Sequence, residues 1–343
     1  MIMTATDRTT APRPGMRSEA TNMDRWRAAV ACAIMAPSGH NAQPWLFHAH
    51  PTGEALELYA DRSRALPVVD PDDRELVISC GAALFHLRLA LRYFGWTSRV
   101  EILPDPDDRD LLARVRFGDR WLATPDEIAM FDAIARRRTV RRVFDQRPVP
   151  AELLAALARA AEDEDAGLFV LATPEEREYA ADLVADADWR QGGDRAFRRE
   201  LAAWIHPNRS RSGDGMPGDA LSMGTLASYL GPFVVRTFDW GEGRAARDHQ
   251  LAVGSPCMAV LWTEKDDTRA WIAAGQALAR VLLAATAAGV SASFLNQPLE
   301  IPELRQVFEG TLDVPGRAQL LLRMGYGPQV PATPRRAVAD VFV

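Results

Sequence analysis

The chain has 343 residues, 48% hydrophobic and 25% charged, with 40 Lys and Arg against 46 Asp and Glu for a net charge of −6. That balance is of a globular protein with a sizeable core, which excludes a disordered chain. It also leaves no basic excess for a nucleic-acid or membrane-surface partner. Lys265 is the only lysine, so Arg is the only plentiful anion-binding side chain.

In chain order, residues 1–23 lack an apolar signal core and read as a floppy tail, and no apolar run reads as long enough to cross a bilayer. "MDRWRAAVACAIM" (23–35) predicts a helix that Pro37 stops, followed by the polar loop "APSGHNAQPW" (36–45). Strands are predicted at 45–50 and 55–61 around the turn "PTGE", then a long apolar helix over 74–95 that closes on Gly95. Two further strands, 98–105 and 112–118, flank the acidic turn "PDPDD".

A second cycle opens with a helix over 125–144 that runs into an Arg cluster, then a helix over 150–163, a strand at 167–173 and a helix over 174–190. Residues 191–231 turn Gly-, Ser- and Arg-rich, a tract long enough to be a lid or a disordered excursion. A strand at 257–264, a helix over 268–289 and a strand at 318–327 complete the pattern. The two long helices repeat one another. Set with Ile78 over Ile272, the same shift pairs Gly81 with Gly275 and Gly95 with Gly289. The chain therefore reads as two copies of one α+β unit, a shortened one over 24–124 and one over 125–343 that carries the insertion.

Cys32, Cys80 and Cys257 are odd in number and without metal spacing, which suits reduced thiols in a cytoplasmic protein. His48 and His50 share a strand face but have no third ligand at a recognisable spacing, so no metal is expected. "GEGRAA" (241–246) fits a dinucleotide fingerprint only by composition, because it sits in an insertion and not at a strand–turn–helix. "RRRTVRRVFD" (136–145) is the stronger signal. Five Arg around one Thr suit a phosphate or similar dianion, which guanidinium binds bidentately. Arg335 and Arg336, on a Pro-stiffened tail, add a second basic point, and "FLNQPLE" (294–300) could present amides to a planar heterocycle.

Taken together, "APSGHNAQPW", the "RRTVR" cluster, the Gly-Gln helix and the C-terminal "PATPRR" resemble the nitroreductase superfamily, most closely its internally duplicated Acg-type branch. The resemblance implies an α+β nitroreductase-like fold whose two fused copies form an intramolecular pseudo-dimer, each a sheet flanked by helices. It implies FMN as cofactor, NAD(P)H as hydride donor and a small electron-poor acceptor such as a nitroaromatic or quinone, with the chemistry on the flavin and no catalytic side chain. Carried over by position, Arg137 would bind the phosphate and Thr139 the ribityl–phosphate region, and Arg141 would lie near the flavin N1–C2 edge. Pro37, Ser38, Gly39 and Asn41 would line the isoalloxazine, Asn296 and Gln297 would face N5 and O4, and Arg335 or Arg336 would complete the phosphate clamp. Only the first half has the "PSGHN" loop and only the second has the Arg cluster, so one site per chain is expected, in a monomer or a homodimer. The lid-like insertion leaves an alternative open, an FMN-sequestering protein with little turnover.

Overall fold

The computed structural model describes residues 21–221, 225–237 and 241–343; residues 1–20 of the expected tail lie outside the described residues. Helix α1 (Asn22–Ala33) starts at a capping box, in which Thr21 Oγ1 accepts from the Asp24 N–H and the Asp24 carboxylate accepts from the Thr21 N–H. The polar loop follows, then β1 (Trp45–Ala49), β2 (Ala55–Ala60), α2 (Arg74–Tyr93), β3 (Trp96–Ile102) and β4 (Leu111–Arg120). These strands form an antiparallel sheet in the order β1-β2-β4-β3.

Next come α3 (Pro125–Ile134), α4 (Ala151–Glu162), β5 (Gly167–Val170) and α5 (Pro174–Gly193). The tract expected as a lid over 191–231 and the residues after it hold α6 (Arg195–Ala203), the short pair β6 (Ile205–His206) and β7 (Met216–Pro217), α7 (Thr225–Thr237) and α8 (Gly241–Val253). The chain ends with β8 (Cys257–Thr263), α9 (Thr268–Ala287), β9 (Ser291–Phe294), α10 (Pro302–Thr311) and β10 (Arg317–Gly325). The second antiparallel sheet runs β5-β8-β10-β9, so two strands, a helix and two strands recur in the same spatial order as in the first. Nearly all of β10 is buried, which is why "AQLLLRMG" is apolar without alternation.

The two sheets meet through α2 and α9, which pack along one another. Each has 20 residues and is apolar enough, by length and composition, to cross a bilayer, which corrects the expectation that no run would be. Their burial against each other and the flanking sheets makes them core helices. Gly81 and Gly275 face each other at the crossing; a Cβ on Gly275 would stand 2.8 Å from the Gly81 Cα and the Ala82 nitrogen.

The helix expected over 125–144 ends ten residues early, at Ile134. Past it, Val140 N–H donates to the Ala292 carbonyl at 3.0 Å and Thr139 bridges Ala292, so the Arg cluster lies extended along β9. β-branched Thr139 and Val140 suit that edge better than a helix. Buried Arg323 on β10 fixes the segment, donating to the carbonyls of Val140 at 2.9 Å and Arg142 at 3.1 Å.

Two long-range connections complete the frame. In the insertion, Phe197, Leu201, Ile205, Met216 and Val235 pack with Leu66 and Val69 into a small core of their own. The C-terminal tail leaves the second sheet at β10 and crosses to the first, where Val341 and Val343 exchange backbone hydrogen bonds with Phe47 on β1 at 2.7 and 2.8 Å. "GEGRAA" opens α8 and no strand precedes it among the described residues; the segment before it is α7.

Candidate functional site

The loop 36–45 is held in an uncommon conformation. His40, Asn41 and Gln43 have φ of 50, 58 and 55°, and the Gln43 N–H is caught by Ser38 Oγ at 2.9 Å. Its two amides reach outward. Asn41 Nδ2 donates to the carbonyls of Gly215 at 2.9 Å and Pro334 at 3.1 Å, while its Oδ1 accepts from Arg335 Nη1 at 3.0 Å. Gln43 donates to the Gly213 carbonyl at 2.8 Å and accepts from the Arg336 N–H at 2.9 Å. The loop therefore clamps the insertion and the tail together.

That clamp brings two distant cations to one point. Arg137, just past α3, and Arg335, on the tail, both donate to the Met35 carbonyl, at 3.4 and 3.3 Å. Neither makes a salt bridge among the described residues, and the Nε of each is buried without a hydrogen-bond partner. Burial, then the mutual repulsion of the pair, holds Arg137 down at about 9; burial, then Arg138, brings Arg335 to about 10. His86 sits beside them as the neutral ring, Nδ1 on the Cys32 carbonyl at 3.2 Å, pushed to about 3 by burial and then by Arg137. Two like charges, Arg137 buried and Arg335 half-buried, with no ion pair to a carboxylate among the described residues, are costly by themselves and suit a bound dianion. Arg336 turns elsewhere, to the Gln43 carbonyl at 3.1 Å and Asp61 at 3.4 Å, and Thr139 stays on its bridge to β9.

Beside this point opens a cavity of about 530 Å³. Pro37, Ser38 and Gly39 form one wall, Asn296 and Gln297 another, and Arg141 and Arg323 line it between them. Asn296 and Gln297 open a short 3₁₀ turn, a position whose N–H groups lack an intrahelical acceptor. The insertion closes the cavity with Phe197, Leu201, Ile205 and Met216 and with α8 residues Arg244, Arg247 and Asp248. Arg141 reaches Met216 Sδ at 3.8 Å, makes no salt bridge among the described residues and is brought to about 10 by burial and then Arg244. Gln297 ties the roof down, with Nε2 at 3.3 Å from Asp188 and 3.1 Å from Asp248.

Of the residues singled out in the sequence, Pro37, Ser38, Gly39, Arg141, Asn296 and Gln297 line the cavity, while Arg137, Arg335 and Asn41 meet outside its lining, about the Met35 carbonyl. Sequence reasoning missed His40, Glu75, Glu300, Arg244 and Arg323, all of which line the cavity, and His86 beside the cation pair. His40 stands inside the quoted loop, and that position was the one signal within reach; its φ of 50° is seen only in the structure. No group of three metal-ligating side chains occurs among the described residues.

A family model described as "Nitroreductase family" matches residues 134–326. The Mycobacterium tuberculosis protein named "Putative NAD(P)H nitroreductase Rv3131" is 36% identical over 92% of this chain and 90% of its own length. The chain belongs to the nitroreductase family. The acg protein of the same organism, which carries the same description, is 29% identical over 92% of this chain and 94% of its own length. Among solved structures, the FMN-dependent nitroreductase NfnB of Mycobacterium smegmatis in complex with NADPH is 18% identical, over 62% of this chain and 96% of that one, with a TM-score of 0.42.

Proposed function

We propose that the cavity and the cation pair hold FMN and that the chain is an FMN-dependent NAD(P)H oxidoreductase of nitroreductase type. The observation that carries this is the convergence of Arg137 and Arg335 on the Met35 carbonyl, with orphaned Nε groups and no counter-charge. A phosphate there answers both donors, and the adjoining cavity is of a size for a planar cofactor. Bound FMN supplies hydride transfer, from NAD(P)H to a nitroaromatic or quinone in alternating half-reactions. The chain contributes the phosphate clamp, the loop wall 37–39, the turn at 296–297 and Arg141, whose charge favours an electron-rich ring edge. The two sheets are read as two fused copies, 24–124 and 125–343, supported by their shared strand order and by the Gly81–Gly275 crossing. One such clamp forms among the described residues, so purified protein should be yellow with one FMN per chain, and NADPH should bleach it under argon. A colourless chain that takes up no FMN would overturn the reading.

A second reading, a flavin-sequestering protein with slow turnover, has its own support in the roof. Arg64 donates to the Ala42 carbonyl at 2.5 Å, ion-pairs with Asp214 of the insertion and lies over the Trp204 ring at 5.4 Å. Arg64→Ala should loosen that latch. A rise in the NADPH reduction rate of tenfold or more would favour sequestration by the roof; an unchanged rate would favour an open reductase.

A further inference from the structure

Two carboxyl side chains that face the cavity have no part in the reading above. Glu75 lies in the first turn of α2, and Glu300 follows the 297–299 turn. Glu75 spans the two walls assigned to the cofactor. Its Oε1 accepts from Asn296 Nδ2 at 3.0 Å, and its Oε2, without a hydrogen bond among the described residues, lies 3.5 Å from where a Cβ on Gly39 would stand. Its side chain is 11% exposed. Glu300 accepts from Gln191 Nε2 at 2.5 Å.

Arg74 and Arg244 are the cations that oppose their charge, and both have other partners. Arg74 is 3.6 Å from Glu75 but spends donors on the carbonyls of Gln319 at 2.5 Å and Leu299 at 3.2 Å. Arg244, on α8, pairs with Asp188 at 2.7 Å and Asp248 at 3.4 Å. Asp70 adds a further negative charge beside Glu75. Burial raises Glu75, with Arg74 opposing and Asp70 adding to it; burial and then Glu75 raise Glu300 against Gln191, Arg244 and Arg74.

We infer that Glu75 is the proton donor to the electron acceptor in this cavity. The inference rests on the oxidoreductase reading. A nitro group becomes a nitroso group by gaining one hydride and one proton and losing an N–O bond as water; a quinone gains the same hydride and proton and loses nothing. The hydride comes from the reduced cofactor, the proton leaves Glu75 Oε2, and water returns it to the carboxylate. A general acid placed this way is worth about 10²–10⁴ in rate.

The test uses the FMN-loaded protein reduced with dithionite, so that the acceptor step is read whether or not nicotinamide can enter. Reoxidation is followed from pH 5 to 9 with a nitroaromatic and with ferricyanide, which takes electrons without protons. In Glu75→Gln the ratio of nitroaromatic to ferricyanide rate should fall at least tenfold. Equal slowing of both acceptors, or an unmoved ratio, would overturn the proposal. The cofactor-free protein gives an independent readout. Raised carboxyls stabilise the fold below their unfolded value near 4.5 and lose that contribution as pH climbs through the raised values. Between about pH 5 and 8 the Tm of the wild type should therefore fall more steeply than that of the Glu75→Gln, Glu300→Gln double variant. Parallel Tm curves would refute the raised carboxyls even in a chain that binds no FMN.

Discussion

Arg137→Met is expected to purify pale and yet to be more stable than the wild type when cofactor-free. The affinity loss follows from removing charge-assisted hydrogen bonds to a phosphate, worth about 3 kcal/mol, or roughly a hundredfold in Kd. Flavin fluorescence titration reads it directly. The gain in stability has a separate origin. Without a ligand, Arg137 is buried beside Arg335 with an unpartnered Nε and no carboxylate, so an apolar side chain of similar length relieves desolvation and repulsion together. A gain of about 1 kcal/mol or more in cofactor-free unfolding is expected. Its sign with pH is fixed. A base whose folded value is lowered to about 9 lets the wild type recover stability as pH rises past that value, so the variant's advantage should shrink there. A variant that lost both affinity and stability would mark Arg137 as a structural residue.

Gly275→Ala is expected to be the most damaging single methyl in the chain. The added Cβ would meet the Ile78 carbonyl and stand 2.8 Å from both the Ala82 nitrogen and the Gly81 Cα, backbone atoms that cannot rotate away. Overpacking typically costs about 1–3 kcal/mol, and backbone against backbone belongs at the top of that range or above it. Since α2 and α9 join the two sheets, the cost falls on the frame that holds the loop wall and the 296–297 turn together. Gly310 is the control. It lies in α10, and a Cβ added there would meet nothing within 4 Å, so Gly310→Ala should stabilise by about 0.5–1 kcal/mol. Urea denaturation of both variants at one pH checks the contrast; equal effects would show that the crossing has slack.

Much of the frame could be read locally. The boundaries of α1, α2, α4 and α9, and five of the longer strands, follow from apolar period, turn residues and Pro or Gly punctuation, which act over a few residues. Where the expectation failed, a distant partner had decided the conformation. The Arg cluster has helical neighbours, yet Ala292 and Arg323, more than a hundred residues away, draw it out along β9. β9 and α10 escape a local reading because "SASF" is too short to show a period and "PELRQVFEGT" is mostly polar.

The candidate site divides in the same way. By itself the sequence determined which residue types could hold an anion and a planar ring, because guanidinium chemistry and a polar, Pro-bounded loop are legible in a single stretch. Only the tertiary structure decided that Arg335 and not Arg336 joins Arg137. The tail's landing on β1 sets the direction of both side chains, and no local pattern encodes that crossing. The structure alone also decided that Asn41 and Gln43 clamp the insertion and that Glu75 and Glu300 share one cavity. Such meetings join residues hundreds of positions apart, and they exist only once the α2–α9 crossing and the roof have formed.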